Sequence, residues 1–348
     1  MRRKSKKVKI GNIFIGGDSP ITVQSMTNTD TKNIDATIKQ ILLLEKEGCE
    51  IIRVAVPDLE AAEAIKSIKK NINIPLVADI HFDYSLAIKS IENGVDAIRI
   101  NPGNIGSELK VCEVISAAKY SGIPIRIGVN SGSLEKDLLN KYKNPNAAAL
   151  VESALRHVDI LEKNNFFDIV ISVKSSNVID NIESYKLLAE KTEYPLHLGV
   201  TEAGTKFSGT IKSAIGIGSL LCSGIGDTIR VSLTDDPIEE VKVGKEILKS
   251  CGVRQFGVEI ISCPTCGRTN IDLIGLAKKA EELLKNINKP IKVAIMGCIV
   301  NGPGEAKEAD IGIAGGKGEG IIFKKGNIIK KVSEDLLLEE LINEINKL

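Results

Sequence analysis

The chain has 348 residues, a formal net charge of +1, 43% hydrophobic and 26% charged residues. That suits one large folded domain plus a smaller one, each able to bury a core. The near-neutral charge and the absence of Trp argue against a nucleic-acid binder, which needs a basic footprint or stacking aromatics, and no apolar run approaches a membrane span.

The basic start "MRRKSKKVKI" is followed by no long apolar segment, so it reads as a solvated tail rather than an export signal. A cytoplasmic location is expected. The seven cysteines then face a reducing compartment, where clustered thiols point to metal or catalysis rather than to disulfides. Just beyond the basic start, "KIGNIFIGG" reads as a hairpin.

A repeating pattern of short β-rich runs and amphipathic helices then occupies two-thirds of the chain. The runs are "ITVQSMTN", "EIIRVAVP", "PLVADIHF", "AIRINPGN", "PIRIGVNSG", "DIVISVKSS", "PLHLGVTEAG" and "TIRVSLTDDP". Helical stretches such as "DATIKQILLLEKEG" carry apolar residues three and four apart. Alternating strands and helices imply parallel strands with right-handed crossovers. Eight units in roughly 250 residues predict a closed (β/α)₈ TIM barrel over residues 1–251, with the opening hairpin closing its bottom. A doubly wound open sheet is the competitor, weakened because no glycine fingerprint comes after the first strand. The glycines of "GIGSLLCSGIGDTIR" read as helix-end and turn residues. After Cys251 the rhythm changes to a small α+β domain, residues 252–348. Its "IAGGKGEG" lacks the ending of a Walker loop and reads as a hairpin connection.

Strands of a parallel barrel are covered on both faces and ought to be apolar. Here Arg53, Arg99, Arg126, Lys174 and Arg230 interrupt them, while His81, Asn101, Asn130, Thr201, Glu202 and Ser232 stand at or just past strand ends. Period-two alternation puts Arg99 with Asn101, Arg126 with Asn130, and Arg230 with Ser232 on shared faces. One buried Arg is explained by a carboxylate such as Asp79 or Glu202. Five basic residues outnumber the acids those strands supply, so the ring predicts an anionic ligand at the C-terminal rim, with phosphate or diphosphate oxygens matched by guanidinium forks.

In the second domain, "SCPTCGRTNID" and "GCIVNGPGEAKEAD" supply Cys263, Cys266 and Cys298 with no histidine after them. A structural zinc normally takes four ligands, and Cys251 is a candidate fourth thiolate. Three cysteines also suit a [4Fe–4S] cluster with one iron free of thiolate, for which Glu305, seven residues after Cys298, is the nearest oxygen donor. Spacing leaves cluster, zinc and incidental cysteines open. Cys49, Cys112 and Cys222 read as buried small hydrophobes.

These two stretches, together with "SMTNTDT", "DIHFD", "RINPGN", "RIGVNSGSL", "SVKSSN", "GVTEAG" and "GIGDTIRVSLTDDP", resemble the 4-hydroxy-3-methylbut-2-en-1-yl diphosphate synthases in their two-domain bacterial form. The resemblance runs through both domains. It implies an oxidoreductase of the methylerythritol phosphate route to isoprenoids, which reductively opens and dehydrates 2-C-methyl-D-erythritol 2,4-cyclodiphosphate. It implies a [4Fe–4S] cluster on Cys263, Cys266 and Cys298, with Glu305 as fourth ligand. It carries substrate contacts onto Arg53, His81, Arg99, Asn101, Arg126, Asn130, Lys174, Thr201, Arg230 and Ser232, and an acid role near the reacting carbons onto Glu202. It implies reduced flavodoxin or ferredoxin as electron donor, and a homodimer whose composite active sites join the barrel of one chain to the cluster domain of the other. Two other readings stay open: a non-redox barrel enzyme of the pteroate synthase or aldolase type with a zinc-stapled domain, and a non-catalytic metal-binding module.

Overall fold

The computed structural model describes every residue except Met1, Asn286, residues 300–303 and Glu305, and the backbone alone of Pro102 and Gly103. The chain divides into two units, Met1–Arg254 and Gln255–Leu348.

The first unit opens with a hairpin, β1 (Val8–Ile10) and β2 (Ile13–Ile15), paired Val8 to Ile15. Eight parallel strands come next: β3 (Thr22–Met26), β4 (Ile51–Ala55), β5 (Leu76–Asp79), β6 (Ala97–Ile100), β7 (Ile125–Asn130), β8 (Ile169–Lys174), β9 (His197–Leu198) and β10 (Thr228–Ile229). Their order around the sheet is β8-β7-β6-β5-β4-β3-β10-β9, and a parallel bridge from Ile171 to Leu196 brings β8 to the start of β9. The first unit is therefore a (β/α)₈ barrel, as the alternation predicts. The hairpin plugs its lower end: Val8, Ile10 and Ile15 pack on Ile51, Val77, Ala97 and Val170, near the N-terminal ends of four strands.

Local chemistry fixes the helices between. Asn33 caps the helix Ile34–Glu47 by accepting from Ala36 N, and Gly48, at φ 107°, ends it. Asp58 caps Leu59–Lys70, Asn177 caps Val178–Lys191, and Asp236 with Pro237 at the first position starts Pro237–Ser250. Short polar side chains at these points satisfy amide groups that the first turn leaves open.

Three local expectations are corrected. The basic N-terminus is docked, not solvated: Arg2 Nη2 lies 2.7 Å from the buried Asp227 Oδ1, and Arg3 Nη2 donates to Tyr194 O at 2.6 Å. Asp227 needs a counter-charge because it is buried, and its Oδ2 also accepts from Leu196 N. Gly216 and Gly218 lie within the helix Lys206–Cys222, not at its end. A Cβ at Gly216 would stand 2.6 Å from Val200 Cγ2, so glycine there lets helix and strand approach closely. Of the cysteines read as buried, Cys49 is buried, Cys112 is half-buried and Cys222 is exposed at its helix end.

The second unit has a five-stranded sheet in sequence order: β11 (Glu259–Ser262), β12 (Lys292–Met296), β13 (Ile311–Gly315), β14 (Glu319–Lys324) and β15 (Asn327–Ser333). The first three are parallel and the last two run antiparallel. "IAGGKGEG" is the hairpin between β13 and β14, as expected. The stretch "GIIFKKGNIIKKV" is itself a second hairpin, because Lys325 and Gly326 both take positive φ (47° and 79°), the two-residue turn that matches strand twist. Helices Leu273–Leu284 and Leu337–Asn346 bury Leu273, Leu284, Leu337 and Leu341 with Val293, Ile295, Ile313 and Ile322.

Candidate active site: a cationic barrel mouth and three strand-end thiols

The interior face of the barrel carries side chains that have no place in an ordinary core. A cavity of about 620 Å³, counting its open side, is lined by Arg53, Asp79, His81, Arg99, Arg126, Asn130, Ser172, Lys174, Thr201, Arg230 and Ser232. Arg53 stands mid-strand in β4, Arg99 in β6, Arg126 in β7 and Lys174 at the end of β8. Arg230 and Ser232 lie just past β10, whose ladder stops at Ile229. Of the predicted substrate contacts, Asn101 alone does not line the cavity; it is buried, with Nδ2 donating to Ser133 Oγ at 3.3 Å.

Carboxylates are scarce. Asp79 serves three partners: Arg99 Nη1 at 3.1 Å, Arg53 Nε at 3.6 Å and His81 Nε2 at 3.7 Å. Burial opposes its ionisation, and Arg53, His81 and Arg99 outweigh that, holding Asp79 well below the usual carboxylate range. Glu240, from the helix Pro237–Ser250, reaches Arg230 Nη2 at 3.3 Å and also accepts from Ser25 Oγ and Leu233 N. Arg126 is left with an amide, Gln24 Oε1, on Nη1, while its Nε and Nη2 are buried without a partner. Among the described residues Lys174 meets no carboxylate. Burial first, then the neighbouring cations, pushes Lys174 and Arg126 well below their ordinary ranges and Arg53 down to about 10.

So, among the described residues, five cations converge on one cavity against two carboxylates. A buried cation without a counter-ion is strongly unfavourable, and the arrangement suits a receptor for a multiply charged anion.

Several participants escape the sequence reading. Ser172 shares the inward face of β8 with Lys174, a signal that period two contains. Gln24 is a polar interruption of β3 passed over in the same way. Glu240 has no local signal. His197, on β9, is wholly buried, and both its ring nitrogens lack partners. Burial, then Arg126 and Lys174, keeps its imidazole neutral by driving its pKa far down. Glu202 is exposed, just past β9, and does not line the cavity. Its φ of 51° is left-handed, a strained conformation for a residue with a Cβ and one that clusters at functional turns.

The thiols gather at one end of the second sheet. Cys263 comes directly after β11 and Cys298 comes two residues after the end of β12; the strands are adjacent and parallel, with Ser262 beside Ile295. Gly297 N donates to Cys263 Sγ at 3.2 Å, and Asn270 N donates to Gly297 O at 3.2 Å, which ties the loop carrying Cys266 to the same strand end. Cys266 is exposed, and its thiol is lowered by hydrogen bonds from the Arg268 backbone and side chain. Among the described residues no three of His, Cys, Asp and Glu converge closely enough to hold a single metal ion. Glu305, and the glycine and proline at 302–303, lie outside the described residues. Cys251 belongs to the first unit, where burial and the neighbouring Cys222 thiol push its own up to about 11.

Fold and mouth together define a barrel enzyme that works on a polyanionic small molecule at its C-terminal rim. The fold is shared with a Stenotrophomonas maltophilia dihydropteroate synthase (TM-score 0.52, 14% identity, 72% of this chain and 100% of that one). It is also shared with an N-acetylneuraminic acid synthetase from Leptospira borgpetersenii (TM-score 0.51, 15% identity, 73% and 91%). At such identities the likeness is one of fold alone. Sequence is more specific. Residues 5–245 match the GcpE TIM-barrel domain and residues 259–347 the GcpE protein C-terminal domain. The chain is 68% identical, over 99% of both lengths, to the 4-hydroxy-3-methylbut-2-en-1-yl diphosphate synthase (flavodoxin) of Clostridium perfringens. It is 56% identical to that of Geobacter sulfurreducens, over 100% of this chain and 99% of the other. The chain belongs to the 4-hydroxy-3-methylbut-2-en-1-yl diphosphate synthase family, enzymes of isoprenoid precursor biosynthesis.

Proposed function

We propose that the chain reduces 2-C-methyl-D-erythritol 2,4-cyclodiphosphate to 4-hydroxy-3-methylbut-2-en-1-yl diphosphate. The cavity that gathers five cations against two carboxylates carries this reading. The balance is one cyclodiphosphate, two electrons and two protons in, one linear diphosphate and one water out. The ring C2–O bond and the C3–O bond break, and C2=C3 forms.

Arg53, His81, Arg99, Arg126, Asn130, Lys174, Arg230 and Ser232 hold the diphosphate, and Thr201 and Asn101 belong with them. The bound anion supplies the counter-charge that Arg126 and Lys174 lack, so binding energy is concentrated where the free protein is least satisfied. Fixing the diphosphate orients the ring for bond breaking. Glu202 sits at the rim, on the turn after β9, and gives a proton to a leaving oxygen.

Cys263, Cys266 and Cys298 suit a [4Fe–4S] cluster: Cys263 and Cys298 just past the ends of neighbouring strands, Cys266 on the loop tied to them, and an amide aimed at Cys263 Sγ. Glu305 is proposed as the fourth ligand. When bound, the cluster supplies electrons singly and a Lewis-acidic iron. The relatives are named for flavodoxin, and a flavodoxin, or a ferredoxin of similar potential, is the electron donor we assign. No described helix is long and apolar enough to cross a membrane, and the work is assigned to the cytoplasm. Anaerobic incubation of purified protein with the cyclodiphosphate and a chemical reductant is expected to release the linear diphosphate. No product from protein with full iron content would overturn the reading.

The clamp and the thiols belong to different units. The barrel chain ends at the rim opposite its mouth, where Arg254 Nη1 donates to Ile21 O and pairs with Glu50 at 2.7 Å. We assign the working enzyme as a head-to-tail homodimer with composite sites, as the family resemblance implies. Mixing Arg126→Ala with Cys298→Ser protein is expected to recover roughly a quarter of wild-type turnover, since each heterodimer regains one intact site. Subunit exchange by mass spectrometry without recovery would put both sets of groups in one chain.

A further inference from the structure

Two glycines on the inner wall, Gly128 and Gly199, offer the anion no side chain, yet the geometry of the clamp depends on them. Gly128 lies on β7, two residues above Arg126 on the same face. A Cβ built there would stand 2.8 Å from both Cζ and Nη2 of Arg99, and closer still to its Nε. Arg99 Nη2 also donates to Gly128 O at 2.9 Å. The guanidinium of β6 therefore lies flat across the neighbouring strand, on the spot a side chain would occupy.

Gly199 repeats the arrangement. The bridge from Ile171 to Leu196 carries Lys174 alongside Gly199 in the same register. A Cβ at Gly199 would stand 2.8 Å from Lys174 Nζ, 2.9 Å from Lys174 Cε and 2.8 Å from Arg230 O. In each case a glycine takes the cation of the preceding strand.

Neither position needs glycine for its backbone, because neither has a positive φ. Glycine within or beside a strand weakens it. What remains to explain these two is close approach by another group. A cation laid over a glycine leaves the lumen open: Arg99 spans from Asp79 Oδ1, 3.1 Å from its Nη1, to Gly128 O, 2.9 Å from its Nη2, and both it and Lys174 line the cavity.

We infer that Gly128 and Gly199 are positioning residues that seat Arg99 and Lys174 for anion binding. The inference rests on the anion-clamp reading, and the test separates the two. Calorimetric titration with inorganic pyrophosphate is the readout, alongside iron content, melting temperature and the split between KM and kcat. Gly128→Ala is expected to weaken pyrophosphate binding at least tenfold and to raise KM more than it lowers kcat, with iron content retained. The double variant Gly128→Ala with Arg99→Lys is expected to recover several-fold of that loss, because an unbranched ammonium can pass a methyl group that a planar guanidinium cannot. Gly199→Ala is expected to weaken binding similarly. Unchanged pyrophosphate affinity in both alanine variants, with Arg99→Ala and Lys174→Ala impaired, overturns the cradle and leaves the clamp standing. Unchanged affinity in all four overturns the clamp itself. A loss in Gly128→Ala that Arg99→Lys does not relieve, accompanied by a lowered melting temperature, makes Gly128 a packing residue and also overturns the inference.

Discussion

Cys298→Ser is expected to abolish both the brown chromophore and turnover in protein purified without oxygen. The substitution is nearly isosteric and sits at the end of β12, where Cys298 is 8% exposed, so the sheet that Val293 and Ile295 anchor has no reason to open. What changes is the proposed ligand. A thiolate is a soft donor, and an alkoxyl group is a poor substitute for it on an iron–sulfur cluster. Cys263→Ser is expected to act the same way, with the Gly297 N–H passing from sulfur to the serine oxygen. The control is Cys49→Ser. Cys49 is buried in the barrel, donates to Ile51 O at 3.1 Å, and has its thiol pushed up to about 12, chiefly by burial. A serine hydroxyl can make the same hydrogen bond, so chromophore and turnover are expected to survive with at most a modest loss of melting temperature. Iron and sulfide analysis beside a turnover assay decides it. Full iron content and full activity in Cys298→Ser would remove this residue from the ligand set.

The barrel was legible because its strands break the rule for buried parallel strands at the positions that matter. Arg53, Arg99, Arg126, Lys174 and Arg230 are conspicuous only against Ile, Val and Ala neighbours, and period two tells which residues share their face. The thiol pattern stands out in the sequence because clustered cysteines without an export signal point to metal or redox chemistry, and spacing alone does not choose between them. Other features depend on closure of the fold, which no local pattern encodes. Glu240 meets Ser25 across 215 residues of sequence; its helix reads like any other amphipathic helix until the barrel closes β10 onto β3. His197 looks like one polar residue in a short strand, and its isolation comes from strands around it. The N-terminal arginines read as solvated because Asp227, their partner, lies more than two hundred residues away. Gly128 and Gly199 carry no sign of their role, since what fills their empty Cβ positions comes from neighbouring strands.

Arg126→Met is expected to weaken substrate binding or turnover by about thirty-fold or more while raising the melting temperature. Arg126 is the extreme member of the ring. It is buried, it meets Gln24 on one nitrogen, and its Nε and Nη2 have no partner. Burial, then Arg53 and Arg99, drives its pKa far below the ordinary guanidinium value. In the free protein this side chain is a liability. Replacing a poorly compensated buried charge with an apolar group of similar length is often neutral or stabilising. In the proposed complex the same charge faces a diphosphate, and truncating one partner of a desolvated pair typically costs roughly 2–5 kcal/mol, which sets the thirty-fold floor. The two effects have opposite signs because one residue is badly solvated without ligand and well paired with it, the stability–function trade that binding sites commonly show. Calorimetry with the cyclodiphosphate, thermal melts and iron analysis on the same preparation test it. Unchanged binding would take Arg126 out of the clamp. A fall in melting temperature with weakened binding would mean that Arg126 is satisfied in the free protein, and that the cavity is not short of negative charge.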